Sequence, residues 1–250
     1  MNFYTRFLLL LAFTLFFSNS SAQQGNSREK VQIFYYGWYG NPAADGSYQH
    51  WNHEILPHWS NPKWNNLGHH QGGDDIGANF YPALGNYSSN DAKIIEKHMK
   101  MIKDSGVGVV VVSWLGKDSF TDKSLIKFLD IADRFDLKIA FHIEPFYKNT
   151  SELKEQLSYL IKTYSRHHAF YKKEGKPLFY VYDSYKIPKE EWAKMLSENG
   201  EKTVRNTELD ALYIGLWVEK DDSEFFDSAG FDGFLYLFCQ RRFCIWKYNC

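Results

Sequence analysis

Glu144 has the residue type and position to do chemistry. It lies at the end of the apolar stretch FHIEP at 141–145. A carboxylate that directly follows a buried apolar segment is a candidate acid, base or acceptor of ligand hydroxyl groups. The same residue type also caps helices and braces loops, and the segment alone leaves both roles open. Trp114, in VVSWLG, occupies the matching end of another apolar stretch and offers a flat face to a sugar ring.

A second group of polar side chains lies in YVYDSY, which contains Tyr180, Tyr182 and Asp183. Side chains alternate along an extended strand, so Tyr180 and Tyr182 should point to one face. Tyrosines in such positions either pack in a core or present hydroxyl groups to a ligand, and the sequence leaves both roles open.

A long segment from residue 40 to about residue 89 carries histidines and acidic residues among tryptophans and tyrosines. They are His50, His53, His58, His69, His70, Asp74 and Asp75. His-x-x-His spacing can bind zinc on a helix or tight turn, but Pro57 and several glycines indicate an irregular loop, and no HExxH or cysteine pattern accompanies it. We therefore expect no metal here. Long irregular loops are usually functional, which favours an ordered wall that offers hydrogen bonds to a polar ligand.

Composition bounds the class of protein. The chain has 250 residues, a formal net charge of -1, 44% hydrophobic residues and 24% charged residues, which fits a globular protein and excludes wholesale disorder. The near-zero charge gives no reason to expect nucleic acid or an anionic membrane as a partner. Aromatic residues make up 18% of the chain and serve either as core filler or as surfaces for carbohydrate.

Strand-like and helix-like stretches alternate along the chain from residue 31. Strands are predicted at 31–39, 107–115, 137–145, 177–185, 211–219 and 231–238. Helices are predicted at 89–106, 124–136, 151–167, 188–200 and 223–230. Ser89 or Asn90 would cap the first helix, and Gly106 would end it. The alternation indicates a parallel sheet with crossover helices.

Two α/β architectures fit this pattern, an open doubly wound sheet and a (β/α)8 TIM barrel. No glycine-rich phosphate turn follows the first strand, which weakens the open sheet and predicts no nucleotide cofactor. The strands end in Tyr39, Trp114, Glu144, Asp183 and Glu219, and catalytic barrels place their working residues at those carboxyl ends. We therefore predict an incomplete (β/α)8 barrel with about six of its eight units.

Five segments in order carry a resemblance to a known family. FYYGWYGNP, DGSYQHWNHEILPHW, GGDDIGANFYPALGNYSSND, FHIEPF and YVYDSY together resemble glycoside hydrolase family 99, the endo-α-1,2-mannosidases, over about residues 31–238. The resemblance implies a barrel without cofactor that cleaves α-1,2-mannosyl linkages inside a glycan. Its partners would be α-mannose-containing oligosaccharides, either glucosylated high-mannose N-glycans of glycoproteins or bacterial α-mannans, and we expect a monomer.

The resemblance also implies a mechanism with retention of configuration. The substrate's own 2-hydroxyl attacks the anomeric carbon, with one glutamate as base and another as acid, so that no carboxylate is the nucleophile. Family members carry both glutamates in an Asn-Glu-Trp-His-Glu-Gly motif that this sequence lacks. We therefore assign no catalytic residue and expect the chain to be inactive. The sugar-binding lining carries over to Tyr36, Trp114, Glu144, Tyr182 and Tyr236.

Two other functions stay open. Without the two glutamates, the chain fits a secreted, truncated glycan-binding protein that keeps part of the cleft. A related polysaccharide-processing barrel with a different linkage specificity fits as well.

The N-terminal residues 1–22 read as a cleaved secretory signal. Arg6 precedes an apolar run at 7–17, and small residues follow up to Ala22. An uncleaved anchor is the alternative, although a membrane span needs ~20 apolar residues. Either way the chain lies outside the cytosol, secreted, periplasmic or in the Golgi lumen. A linker at 23–30 and the partial catalytic domain at 31–238 follow.

The last segment, CQRRFCIWKYNC at 239–250, holds all three cysteines of the chain. Cysteines of secreted proteins usually pair, but an odd number leaves one unpaired in a monomer. The resemblance to the family stops at Cys239. Codons read one base later turn Trp246-Lys247 into a glycine codon and permit the glycine- and aromatic-rich segment with which the family continues. We interpret 239–250 as an aberrant tail produced by a frameshift.

Overall fold

Six parallel strands form the central sheet of the structure, a computed structural model that describes residues 27–55, 68–218 and 223–236. The strands are β1 (Gln32–Tyr35), β2 (Val109–Trp114), β3 (Lys138–Ile143), β5 (Lys176–Val181), β6 (Leu212–Trp217) and β7 (Gly233–Tyr236). A two-residue strand, β4 (Lys172–Lys173), pairs antiparallel with β5. The order β1-β2-β3-β5-β6-β7 follows the chain without reversal. A doubly wound sheet reverses its order, so the predicted incomplete (β/α)8 barrel is confirmed.

Helices connect the parallel strands. They are α1 (Pro42–Asp45), α2 (Ala92–Asp104), α3 (Phe120–Arg134), α4 (Thr150–Tyr164), α5 (Lys189–Leu196) and α6 (Ser223–Ala229). The cap of α2 is Asp91, whose side chain accepts a hydrogen bond from the Lys93 backbone at 2.8 Å. The predicted caps Ser89 and Asn90 are wrong, because the Ser89 hydroxyl instead accepts from the Tyr39 backbone, at 3.2 Å.

The two faces of the sheet have different surroundings. On β2, Val110, Val112 and Trp114 belong to the main hydrophobic core together with the buried faces of the helices. Val109 and Val111 belong instead to a second apolar cluster, which includes Ala140 of β3 and residues of β5, β6 and β7. The first set therefore faces the helices, and we call this the outer face. The second set lies on the concave inner face of the partial barrel.

The inner face opens onto a cavity of about 630 Å³. Its lining is largely apolar and includes Phe34, Val111, Tyr180, Leu216 and Leu235. In a closed eight-stranded barrel, side chains fill this space. Towards the carboxyl ends of the strands the lining includes Tyr36, His142 and Tyr182.

The segment between β1 and α2 is held in place by aromatic rings packed in tilted and edge-on contacts. Trp51 is buried, its ring centroid lies 4.2 Å from that of Tyr39, and its indole N–H donates to the Tyr87 carbonyl at 2.9 Å. Apart from the short α1, this segment is irregular where it is described, as predicted.

The predictions for the two termini fall outside the described residues. These are the signal at 1–22 and the tail at 239–250, together with His58 of the histidine-rich loop. Among the residues that the structure describes, no helix is long and apolar enough to cross a membrane.

Candidate functional site

The carboxyl ends of β2, β3 and β5 bring three inward-facing positions together. Ser113 of β2 pairs in register with His142 of β3, which pairs in turn with Tyr180 of β5. Because side chains alternate, Ser113 shares the inner face with Val109 and Val111. Glu144 follows β3 directly, two residues after His142, and lies on the same face.

Glu144 is fixed by a chain of two short hydrogen bonds. The Ser113 hydroxyl donates to Oε1 of Glu144 at 2.7 Å, and the indole N–H of Trp38 donates to the Ser113 oxygen at 2.7 Å. Only 6% of the Glu144 surface is exposed. A buried carboxylate in this setting is an acceptor of hydrogen bonds with a defined direction.

His142 lies against the same carboxylate. Its Nδ1 is 3.3 Å from Oε1 of Glu144, but the two atoms do not form a hydrogen bond, and this buried nitrogen has no hydrogen-bond partner among the described residues. The ring makes edge contacts with Phe34 and Tyr182, with centroids 4.9 and 5.1 Å apart. His142 thus presents a polar atom in a largely aromatic surrounding.

Two small cavities meet at Trp38 and Glu144. One, of about 190 Å³, is lined by Tyr36, Trp38, Tyr39, His142, Glu144 and Tyr182. The other, of about 230 Å³, is lined by Trp38, His50, Leu115, Glu144, Pro145 and Phe146. Among the residues that the structure describes, Glu144 is the only carboxylate that lines the two small cavities, neither of which has a lysine or arginine, and no carboxylate lines the larger interior one. Aromatic faces with few polar groups suit a neutral polar ligand.

The tyrosines of this site are held in the neutral form. Burial raises the pKa of Tyr36, and the charge of Glu144 and the neighbouring Tyr182 raise it further. Burial is also the main cause of the raised pKa of Tyr182, with the charges of Asp183 and Glu144 adding to it and Lys186 opposing them. Both hydroxyls can therefore donate and accept hydrogen bonds at neutral pH.

Three of the predicted site residues, Tyr36, Glu144 and Tyr182, line the same small cavity. Tyr180 and Tyr182 both line the large interior cavity, which confirms that they share a face. Tyr236 ends β7, where its backbone pairs with Trp217. Its side chain is outside the described part of the structure, so its role stays a prediction.

Trp114 does not lie in the site, and the expectation that it contacts a ligand needs correction. It has the same parity on β2 as Val110 and Val112, so it points to the outer face, where it is fully buried. Its indole N–H donates to Oδ1 of Asp122 at 2.9 Å, and its ring stacks on Tyr159 with centroids 6.3 Å apart.

Three residues of the site were missed on the sequence, Trp38, Ser113 and His142. The alternation in VVSWLG puts Ser113, and not Trp114, on the face of Val109 and Val111. The alternation in FHIEP likewise puts His142 on the face of Glu144. Trp38 follows β1 in an irregular turn, so no periodicity indicates its direction.

Of the histidine-rich loop, His50 reaches the site. Its ring lies 4.7 Å from that of Trp38, and burial followed by the charge of His53 lowers its pKa. His70 and Asp75 form a pair at 2.6 Å outside the cavities. Within 27–55, 68–218 and 223–236, no three His, Cys, Asp or Glu side chains lie close enough together to hold a metal ion.

Comparison with known proteins gives one consistent family. The model of Glycosyl hydrolase family 99 matches residues 27–247. This range passes both ends of the domain predicted at 31–238, whose boundaries stay a prediction, as does the frameshift.

The similar proteins span vertebrates and bacteria. Glycoprotein endo-alpha-1,2-mannosidases of Xenopus laevis and Mus musculus are 43% and 40% identical, over 85% of this chain and 51% and 49% of their own lengths. The solved GH99 endo-alpha-mannosidase of Bacteroides thetaiotaomicron has a TM-score of 0.79 at 43% identity, over 86% of this chain and 63% of its own. The chain thus spans about half the length of the curated relatives that it matches.

Proposed function

The chain belongs to glycoside hydrolase family 99, and we propose that its site around Glu144 recognises an α-mannosyl residue of a glycan, as part of an endo-α-1,2-mannosidase-type architecture. The observation that carries the proposal is the convergence of Tyr36, Glu144 and Tyr182 on one cavity, with Trp38 forming its wall. The relatives named above are endo-alpha-mannosidases, which supports the substrate class.

The chemistry of the lining suits a neutral sugar. Each sugar ring presents apolar C–H faces and several hydroxyls, and aromatic rings with neutral phenols match both. Glu144 accepts hydrogen bonds from hydroxyls. Because none of the described residues that line the two small cavities is a lysine or arginine, the carboxylate disfavours sugars that carry phosphate or carboxylate.

We propose that this 250-residue chain binds glycans without cleaving them. Retention through the 2-hydroxyl needs a base that takes the 2-hydroxyl proton and an acid that protonates the leaving oxygen. Glycoside hydrolysis normally takes two carboxyl groups. Among the described residues, Glu144 supplies the one carboxyl group that lines the two small cavities, and the large cavity is lined by none. The Asn-Glu-Trp-His-Glu-Gly motif that supplies the pair in the family is absent from the sequence. We further propose that the chain works as a monomer. We also propose that it lies outside the cytosol, which the apolar N-terminal run at 7–17 supports.

Isothermal titration calorimetry with α-1,2-linked manno-oligosaccharides tests recognition. We expect measurable binding by the wild-type chain and binding at least about tenfold weaker for Glu144→Gln, since a hydrogen bond to a charged group is lost. An equally large α-glucan oligosaccharide is the control ligand. If the soluble, folded chain gives no heat with the mannosides, the proposed recognition is wrong.

Product analysis on the same substrates tests the absence of cleavage. We expect no released saccharide by chromatography after prolonged incubation. Any hydrolysis that Glu144→Gln abolishes would contradict a purely binding role and assign catalysis to this chain.

A further inference from the structure

Ser113 lies at the centre of the site without lining any of its three cavities. It is 1% exposed, on β2, with β1 and β3 on either side. Its hydroxyl contacts two groups that do line the small cavities, the Trp38 indole and the Glu144 carboxylate, each at 2.7 Å. The serine thus joins the β1 loop to the end of β3.

The direction of both hydrogen bonds is fixed by the chemistry of the groups. An indole N–H only donates, and an ionised carboxylate only accepts. Ser113 must therefore accept from Trp38, and its single proton must go to Oε1 of Glu144. Hydrogen bonds arranged head to tail in this way polarise one another and strengthen the chain.

We infer that Ser113 is a positioning residue for recognition, which orients the carboxylate of Glu144 and the ring of Trp38 towards the ligand. With Ser113 on Oε1, the other carboxylate oxygen receives no hydrogen bond from residues 27–55, 68–218 or 223–236. That oxygen is the acceptor left for a sugar hydroxyl. The inference rests on the proposed function, since the ligand is the glycan proposed above.

Removing the serine oxygen breaks both bonds at once. In Ser113→Ala the Trp38 N–H and Oε1 of Glu144 both lose their partner, and the two side chains are free to turn. We expect glycan affinity about tenfold weaker in calorimetry. Ser113→Thr keeps the hydroxyl and should restore most of the affinity.

Trp38→Phe tests the same chain from its other end, because it keeps an aromatic face and removes the N–H. If Ser113 acts through Trp38 and Glu144, the effects of Trp38→Phe and Ser113→Ala do not multiply in the double variant. Multiplying losses would overturn the inference. The cycle also decides the matter if the added methyl of Ser113→Thr prevents folding.

The matched control is Ser124→Ala. Ser124 is equally buried, on α3, and its hydroxyl donates to the Thr121 carbonyl at 3.0 Å. This variant loses the same oxygen from a helix on the outer side of the sheet and should bind glycan like the wild type. Equal losses of affinity in Ser113→Ala and Ser124→Ala would assign the effect to general stability and overturn the inference.

The NMR signal of the Trp38 indole N–H separates this inference from the proposed function, because it needs no ligand. It should move in Ser113→Ala and in Glu144→Gln, and stay in Ser124→Ala. If the signal shifts in this pattern but the wild-type chain binds no mannoside, the proposed function is refuted, whereas the positioning of Trp38 and Glu144 by Ser113 is supported. A signal that ignores Ser113→Ala refutes the positioning itself.

Discussion

Asp122 and Glu144 are two buried carboxylates on opposite faces of the sheet, with 7% and 6% of their surfaces exposed. Asp122, on the outer side, accepts three hydrogen bonds of 2.9 Å, from the Trp114 indole, the Tyr159 hydroxyl and the Asp118 backbone. Glu144, on the inner side, accepts one side-chain hydrogen bond from the described residues, that of Ser113. Each carboxylate is tied to a tryptophan, directly on the outer face and through the serine on the inner face.

This difference shows that burial alone does not identify a functional carboxylate. Both oxygens of Asp122 accept hydrogen bonds from within the fold, so the group serves the packing of α3 and α4 against β2. Glu144 keeps one oxygen available beside two cavities. Unused hydrogen-bonding capacity, rather than burial, distinguishes the carboxylate proposed to recognise a ligand from the structural one.

Replacing Trp114 or Trp38 with alanine should give the largest difference in stability between the outer and inner faces. Trp114 is fully buried, so Trp114→Ala leaves a large cavity in the core and should lower the free energy of unfolding by about 3–5 kcal/mol. Trp38 is partly exposed, and Trp38→Ala should cost less than about 2 kcal/mol while weakening glycan binding. Urea denaturation followed by circular dichroism measures both. Equal stability losses would remove the distinction between the faces.

The matched amide variants Asp122→Asn and Glu144→Gln test the same comparison with smaller expected changes in stability. Asparagine must turn an NH2 group towards one of the donors around Asp122, and we expect a loss of about 2 kcal/mol in stability. Glutamine can keep its oxygen towards Ser113 and turn its NH2 to the cavity, so stability should change by less than about 1 kcal/mol. Affinity should follow the opposite order. A Glu144→Gln variant as unstable as Asp122→Asn would make Glu144 a structural residue.

The sequence predicts this architecture well because the alternation of strand-like and helix-like segments is visible in short stretches of sequence. All six parallel strands were expected, and each is shorter than its predicted segment because apolar residues continue into the turns. The hairpin strand β4 has two residues, too few to show a period. The alternation of side chains along β2 also predicts that Ser113 faces inward and Trp114 outward. The size and aromatic character of Trp114 alone do not indicate its direction.

The site itself depends on contacts that no local pattern contains. Trp38 meets Ser113 across 75 positions of sequence, through an irregular loop whose path is set by the packing of Tyr39, Trp51 and Tyr87. Residue types predicted that Glu144 and the tyrosines lie at strand ends. Which oxygen of Glu144 is engaged follows only from the three-dimensional arrangement.

The smallest expected effect compares two histidines, His98 on the outer side and His50 in the site. Burial lowers the pKa of both, and His53 adds to the effect on His50. His98 also contacts the Tyr35 hydroxyl at 2.8 Å through Nδ1. Above the ordinary histidine pKa of about 6.5, both states of the protein are neutral at these positions and stability is unaffected.

As pH falls below that value, these two histidines become protonated in the unfolded chain before they do in the folded chain, where their pKa is lower. They therefore lower the stability of the fold as pH decreases. His98→Gln and His50→Asn should each flatten the fall in thermal midpoint between pH 7 and 5, and only His50→Asn should change glycan affinity. Asparagine suits the left-handed backbone of residue 50, where φ is 60°. Thermal unfolding across this pH range, with calorimetry at pH 7, measures both effects. An affinity change in His98→Gln matching that in His50→Asn would show that the two faces are coupled.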